Sequence, residues 1–200
     1  YYVKEISPSV GYLADETEHD LVCNYEGDLV AEVKRDCTSL EQVMKQPFQI
    51  IKAANNGKTD ADLLKGAGFT AYLESSLTKK ADGNYEFASA TPVVIGENGA
   101  TEMFTDEKGY ACSIALPYGT YIVRETTTPH NYTPVDDFTV RITENNPNQP
   151  QTWRVLLDDE FEAKLKIIKQ DDETKKPVLQ KNTEFKIYDL DHKKYVEQVT

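Results

Sequence analysis

Basic residues, sulfur and long apolar stretches are all scarce in this 200-residue chain, and each scarcity removes a class of function. Lys and Arg number 22 against 34 Asp and Glu, a formal charge of −12 that repels nucleic-acid phosphates and anionic lipid headgroups. Nucleic acid is therefore not expected as a partner. No apolar run approaches the length that crosses a bilayer, so membrane insertion is not expected either. Cys23, Cys37 and Cys112 make an odd count without paired short spacing, and His19, His130 and His192 are scattered. Neither a disulfide framework nor a metal site is expected, and nothing calls for a cofactor. The first residues, YYVKEISPSV, have no Met, no basic start and no apolar core. The chain is thus expected to be a piece of a longer protein, with any secretion signal or wall anchor outside it.

What is present is β-sheet chemistry. Apolar residues make up 39% of the chain, enough for a core. They alternate with polar ones in short stretches rich in Tyr, Phe, Val, Ile and Thr, the pattern of half-buried strands. FTAYL at 69–73, YACSIAL at 110–116, YGTYIVRE at 118–125, DFTVRIT at 137–143 and TWRVLL at 152–157 are the clearest. Turn residues such as Asp82-Gly83-Asn84 and Glu97-Asn98-Gly99 separate such stretches. The class is mostly β. One short connector helix is predicted over 39–46, with Ser39 as cap, Gln42 replying three residues later and Pro47 as stop.

Two segments recur. FQIIKAANNGKTDADLLKGAGFTAYL at 48–73 is echoed by LKIIKQDDETKKPVLQKNTEFKIYDL at 165–190, and YGTYIVRETTTPHNY at 118–132 by YYVKEISPSVGY at 1–12. The order of echoes implies tandem modules of ordinary domain size. Residues 1–26 are expected to be the last strands of a preceding module and 27–46 a connector. A complete module follows at 47–162, and 163–200 hold the first strands of a third.

Strand periodicity then puts charges inside. Phe48, Ile50 and Lys52 share one face, as do Leu165, Ile167 and Lys169. Tyr121, Val123 and Glu125 share another, and Val3 aligns with Glu5. A lone buried charge costs several kcal/mol unless neutralised or paired. An ordinary Lys–Glu salt bridge at a strand end, or snorkelling to the rim, would also meet that requirement. A third partner exists in TWRVLLDDEFEA, either Asp158 or Asp159. Strict alternation puts Asp159 on the Trp153, Val155, Leu157 face unless a bulge shifts the phase.

These residues carry a resemblance. First-strand Lys52, LLKGAGFTAYL at 63–73, the run TDEKGYACSIALPYGTYIVRETTTP at 105–129 and Asn131-Tyr132 are similar to the collagen-adhesin B-type domain of Gram-positive surface adhesins and pilins. That family is also called CnaB or SpaA-type and is prealbumin-like. The likeness covers 47–200 well and 1–26 moderately, while 27–46 and an insertion near 75–103 fall outside the short pattern. It implies Ig-like, inverse antiparallel β-sandwich modules in tandem at the cell wall. It also implies an isopeptide bond between Lys52 and Asp158, with Asp159 as the alternative and Glu125 as catalyst. Asp158 is favoured three residues before an apolar position, Phe161, and a fixed distance ahead of the next lysine. Glu5 and Lys169 are the corresponding residues of the flanking modules. Asn24, in LVCNYEGD, matches poorly as an acceptor for Lys169. A core that favours neutral amine and carboxyl forms would let the bond close once per molecule, without turnover.

The function expected is a structural stalk or spacer, extracellular, partnered by neighbouring modules of its own chain. Strand exchange between incomplete end modules of neighbouring molecules is a further expectation. The alternative is a module that binds host glycan or matrix protein through the insertion. Glu5, Glu125, Asp158 and Asp159 as a glycosidase-like carboxylate set, or Cys112 with His130 as a nucleophile pair, is the least supported reading, since no aromatic-rich cleft or activating base is apparent.

Overall fold

The computed structural model describes residues 1–57, 62–162, 164–178, 184–190 and 193–196. The chain forms two compact units, Tyr1–Phe161 and Glu162–Thr200.

The first unit opens with β1 (Tyr2–Val3), β2 (Tyr12–Leu13), β3 (His19–Asp20), β4 (Gln42–Val43) and β5 (Lys45–Gln46). Then come β6 (Gln49–Asn55), β7 (Gly68–Leu73), β8 (Thr78–Lys79), β9 (Tyr85–Glu86), β10 (Glu102–Phe104), β11 (Tyr110–Cys112) and β12 (Leu116–Pro117). The long β13 (Gly119–Thr127) leads to β14 (Tyr132–Thr133), β15 (Phe138–Ile142) and β16 (Arg154–Glu160). Two four-stranded sheets, ordered β10-β7-β13-β15 and β11-β6-β16-β14, make the sandwich. Every pairing in them is antiparallel except β6 with β16, the opening and closing strands, which run parallel as neighbours. Parallel neighbours need a long connection, and here the rest of the module supplies it.

Alternation decides what each strand buries. Ile50, Lys52 and Ala54 of β6 point inward, as do Phe69 and Ala71 of β7, Tyr121, Val123 and Glu125 of β13, and Val140 and Ile142 of β15. Phe48, Ile95, Met103 and Leu116 close the core. On β16 the inward row is Arg154, Leu156, Asp158, and the outward row of Trp153, Val155 and Leu157 is exposed. The more apolar row is therefore the outer one. Strict alternation holds without a bulge and puts Asp158 inside and Asp159 outside, the choice that alternation in the sequence left open.

The helix expected over 39–46 does not form. Gln42–Val43 pair antiparallel with Tyr12–Leu13, and Lys45–Gln46 with Leu116–Pro117. An eight-residue helix with no face to bury is too short to overcome its own nucleation cost, whereas each dipeptide here finds a strand edge. The connector expected at 27–46 accordingly ends in strand pairing rather than in a helix.

The insertion near 75–103 lies against the outer face of the β7–β13 sheet. The Phe87 ring meets Tyr72 edge-on at 4.9 Å, and the Arg124 guanidinium sits 3.8 Å from its centroid while pairing with Asp137. Val93 N–H donates to the Ala71 carbonyl and Ile114 N–H to the Ile95 carbonyl, tying the far end of the insertion to the sandwich.

In the second unit, β17 (Ile187–Asp189) pairs with β18 (Lys194–Val196), and a single bridge joins Gln170 to Pro177. The stretch Leu165–Lys169, expected as a first strand, is not in a strand, and Leu165, Ile167 and Ile168 are exposed. Residues 179–183 of the echo at 165–190 lie outside the described residues. No helix among the described residues is long and apolar enough to cross a membrane.

Candidate functional site

Three inward positions on three strands converge at one point in the core. Lys52 comes from the middle of β6, Glu125 from β13 across the sandwich, and Asp158 from β16, the parallel neighbour of β6. The β6–β16 register sets Ala54 opposite Asp158, so Lys52 lies diagonally across from it, within reach of a long side chain. Lys52 Nζ donates to Glu125 Oε2 at 2.6 Å and also to Asp158 Oδ1. All three side chains are 0% exposed. The Phe69 ring, its centroid 5.5 Å from Nζ, walls the site on one side.

The backbone around the triad is fixed from both ends. Lys52 N–H donates to the Gly109 carbonyl at 2.7 Å, and its own carbonyl accepts from Leu64 N–H at 2.9 Å. Gly109 has φ +63, and a Cβ there would fall 2.3 Å from the Lys52 carbonyl oxygen. Only glycine fits so close to that strand. Glu125 sits where the β13–β7 register shifts, at a bulge before Thr127. Its Oε2 also accepts from Val135 N–H at 3.1 Å. Sequence reasoning missed Gly109, Leu64 and Val135. Of these only Gly109 left a signal, as the glycine of the TDEKGY turn.

The electrostatics follow from burial. Desolvation pushes the Asp158 carboxyl up to about 6; the Lys52 ammonium opposes the rise and the neighbouring Glu125 adds to it. Glu125 Oε1 and Asp158 Oδ2 are buried with no hydrogen-bond partner among the described residues. One amine and two acids with an oxygen to spare on each form a site in which a proton can be held between groups. The same burial closes it to outside substrates, because a sugar cannot reach carboxyls with no exposed surface.

The remaining sequence candidates fall elsewhere. Asp159 is exposed and accepts from Asn55 Nδ2 at 2.7 Å. Half-buried Glu5 accepts from Asp15 N–H at 2.6 Å. Asn24 and Lys169 are exposed, and Cys112 lies exposed on β11. Among the described residues no group of His, Cys, Asp and Glu is arranged to hold a metal ion.

A family model described as the SpaA prealbumin-like fold domain matches residues 47–154. Among solved structures, the Bacillus anthracis TIE protein is similar over 80% of this chain at 26% identity, with a TM-score of 0.50. The chain spans only 25% of that protein's length. The minor pilin of Streptococcus agalactiae is 16% identical over 64% of this chain and 51% of its own, with a TM-score of 0.46. The C-terminal domain of the shaft pilin SpaA from Lactobacillus rhamnosus GG is 21% identical over 58% of this chain and 98% of its own, with a TM-score of 0.38. A search of curated proteins found no match.

Proposed function

Because the chain belongs to the SpaA family of prealbumin-like fold domains, we propose that it is a stalk or spacer segment of an extracellular, wall-attached adhesin or pilin-like protein, its central sandwich locked by a Lys52–Asp158 isopeptide bond. The observation that carries this reading is the fully buried contact of one amine with two carboxyls between the first and last strands of the sandwich.

The chemistry needs no outside reagent. The step uses Asp158 in its protonated form, which burial favours, and begins when the Lys52 ammonium passes one proton to the Glu125 carboxylate it touches, leaving a neutral amine. Lys52 Nζ then attacks the Asp158 carboxyl carbon. Glu125, now carrying the proton taken from Lys52, donates a hydrogen bond to the Asp158 carbonyl oxygen as charge builds on it, gives that proton to the departing hydroxyl and takes one from the attacking nitrogen. The C–O bond breaks, the C–N bond forms and one water leaves, so Glu125 ends as it began. The event happens once per molecule and is maturation rather than turnover.

The consequence is mechanical. The two lysine-to-aspartate positions are 106 residues apart in sequence yet adjacent in space. Tension that enters along β6 and leaves along β16 would shear the hydrogen bonds between two parallel strands. A covalent tie at Lys52–Asp158 passes that load across the pair and leaves the intervening module slack. It also supplies a cross-link to a protein whose three cysteines are all free.

The test is an intact mass under denaturing conditions for the chain and for Glu125→Ala. The parent is expected one water lighter than its sequence and the variant at full mass. A parent at full mass would remove the bond from this account and leave only a stalk of this fold.

A further inference from the structure

The hydrogen bonds of Tyr1–Met44 repeat those that close the sandwich. Glu5 accepts from the backbone N–H ten residues later, at Asp15, as Glu125 does from Val135. Tyr12 N–H donates to the Ser9 carbonyl at 3.1 Å, as Tyr132 N–H does to Pro129 at 3.2 Å. Gly11 and Asn131, each one residue earlier, both adopt positive φ, +88 and +68. Their carbonyls accept from Met44 N–H and Phe161 N–H at 2.8 and 2.7 Å. Tyr12 pairs with Val43 as Tyr132 pairs with Glu160, and Leu13 with Gln42 as Thr133 with Asp159. β1 pairs with β3 as β13 pairs with β15.

This register carries over to the site. Stepping back one residue from Gln42 and from Asp159 sets Glu41 in the place of Asp158, and Glu5 stands in the place of Glu125. The spacing agrees independently: Glu41 lies eleven residues before Lys52, as Asp158 lies eleven before Lys169. What differs is cover. Tyr1 is 94% exposed where its counterpart Tyr121 is 3%, and Val3 is 46% exposed where Val123 is 0%. In the sandwich that cover comes from the opposing sheet, and the charge facing the two acids is a lysine on a strand parallel to the one that bears Asp158.

We infer that Tyr1–Met44 is the closing half of a second sandwich of this fold, and that Glu5 and Glu41 form its receiving site for the ammonium of a lysine on an incoming opening strand of pattern apolar-x-apolar-apolar-Lys. That strand runs parallel to Glu41–Met44, its apolar residues cover Tyr1 and Val3, and its lysine lies between two acids. The boundary of the preceding module falls at Met44, so residues 27–44 of the expected connector are part of that module, while Lys45–Gln46 pair with the central sandwich. Glu41 carries one methylene more than an aspartate, and the contact inferred is an ion pair rather than an amide. The repeat stands on backbone hydrogen bonds that do not involve Lys52, so it holds whether or not the Lys52–Asp158 bond forms.

The test uses the whole chain and a synthetic peptide of residues 47–57, PFQIIKAANNG, with a control in which its lysine is norleucine. Binding is followed by fluorescence anisotropy, and a zero-length carbodiimide coupling followed by peptide mapping locates the contact. Saturable binding is expected, with the peptide lysine coupled to Glu41 or Glu5. Binding should weaken about tenfold or more for the norleucine peptide and for Glu41→Gln, as loss of a charge-assisted contact requires. Absence of binding overturns the inference. So does coupling only at Glu125 or Asp158, or binding indifferent both to the norleucine change and to Glu41→Gln.

Discussion

Replacing Lys52 with Met keeps an unbranched chain of similar length in the core and removes the nitrogen on which the proposed tie depends. Two costs follow. Closing a loop of roughly 100 residues is worth about 4.7 kcal/mol by the chain-entropy estimate, and the Lys52–Asp158 separation of 106 residues falls at that length. For a sandwich of this size each kcal/mol moves Tm by roughly 4 °C, so loss of the tie alone lowers it by about 20 °C. The second cost depends on pH. Lys52 holds the Asp158 carboxyl down, so without it burial and Glu125 raise that carboxyl beyond the value of about 6 found with the lysine present. The folded variant then binds a proton that the unfolded chain has already released, from the ordinary aspartate value of 3.8 upward. Stability therefore falls as pH rises through that window and recovers on the acid side. The assay is calorimetry of parent and variant at several pH values beside their intact masses. Equal melting temperatures, or a variant whose stability rises with pH across the window, would refute the reasoning.

Three further outcomes are expected. Asp158→Asn leaves ammonia in place of water, so its mass should fall one ammonia below its own sequence, while Asp159→Asn should still lose one water; mass spectrometry of the two decides which aspartate reacts. Gly109→Ala puts a Cβ against the Lys52 carbonyl oxygen at a positive φ and should cost about 2 kcal/mol. It should also leave part of the fresh protein at full mass, visible as two species. Arg124→Ala removes the stacking on Phe87 and the pair with Asp137, worth together about 1 kcal/mol at this partly exposed place. Limited proteolysis should then cut the insertion faster than in the parent, with little change in Tm.

Period-two alternation was legible wherever a strand had one apolar face. FTAYL, YGTYIVRE and DFTVRIT lie on β7, β13 and β15, and the inward set of Phe48, Ile50 and Lys52 is the buried one. Alternation fixes which residues share a face, but it does not say which face is inside. Along β16 and the residue before it the two rows are Trp153, Val155, Leu157 and Arg154, Leu156, Asp158, and the more apolar row lies outside, so hydrophobicity by itself left Asp158 and Asp159 open. The inner row was chosen by pairing with β6, a partner about a hundred residues away. The 39–46 segment failed for a related reason: its caps were real local signals, but the edges offered by Tyr12–Leu13 and Leu116–Pro117 are not visible from local sequence.

The sequence by itself determined the β class, the tandem echoes and the residue types able to meet in the core, because these depend on patterns only a few residues long. Tertiary structure decided that Asp158 rather than Asp159 faces Lys52, and that Tyr12–Leu13 pair with Gln42–Val43, the register from which the inference about the chain before Met44 is drawn. Both rest on the register between strands distant in the chain. That register is set by which apolar rows find cover and which backbone groups find partners, and it becomes definite only when the strands are brought side by side.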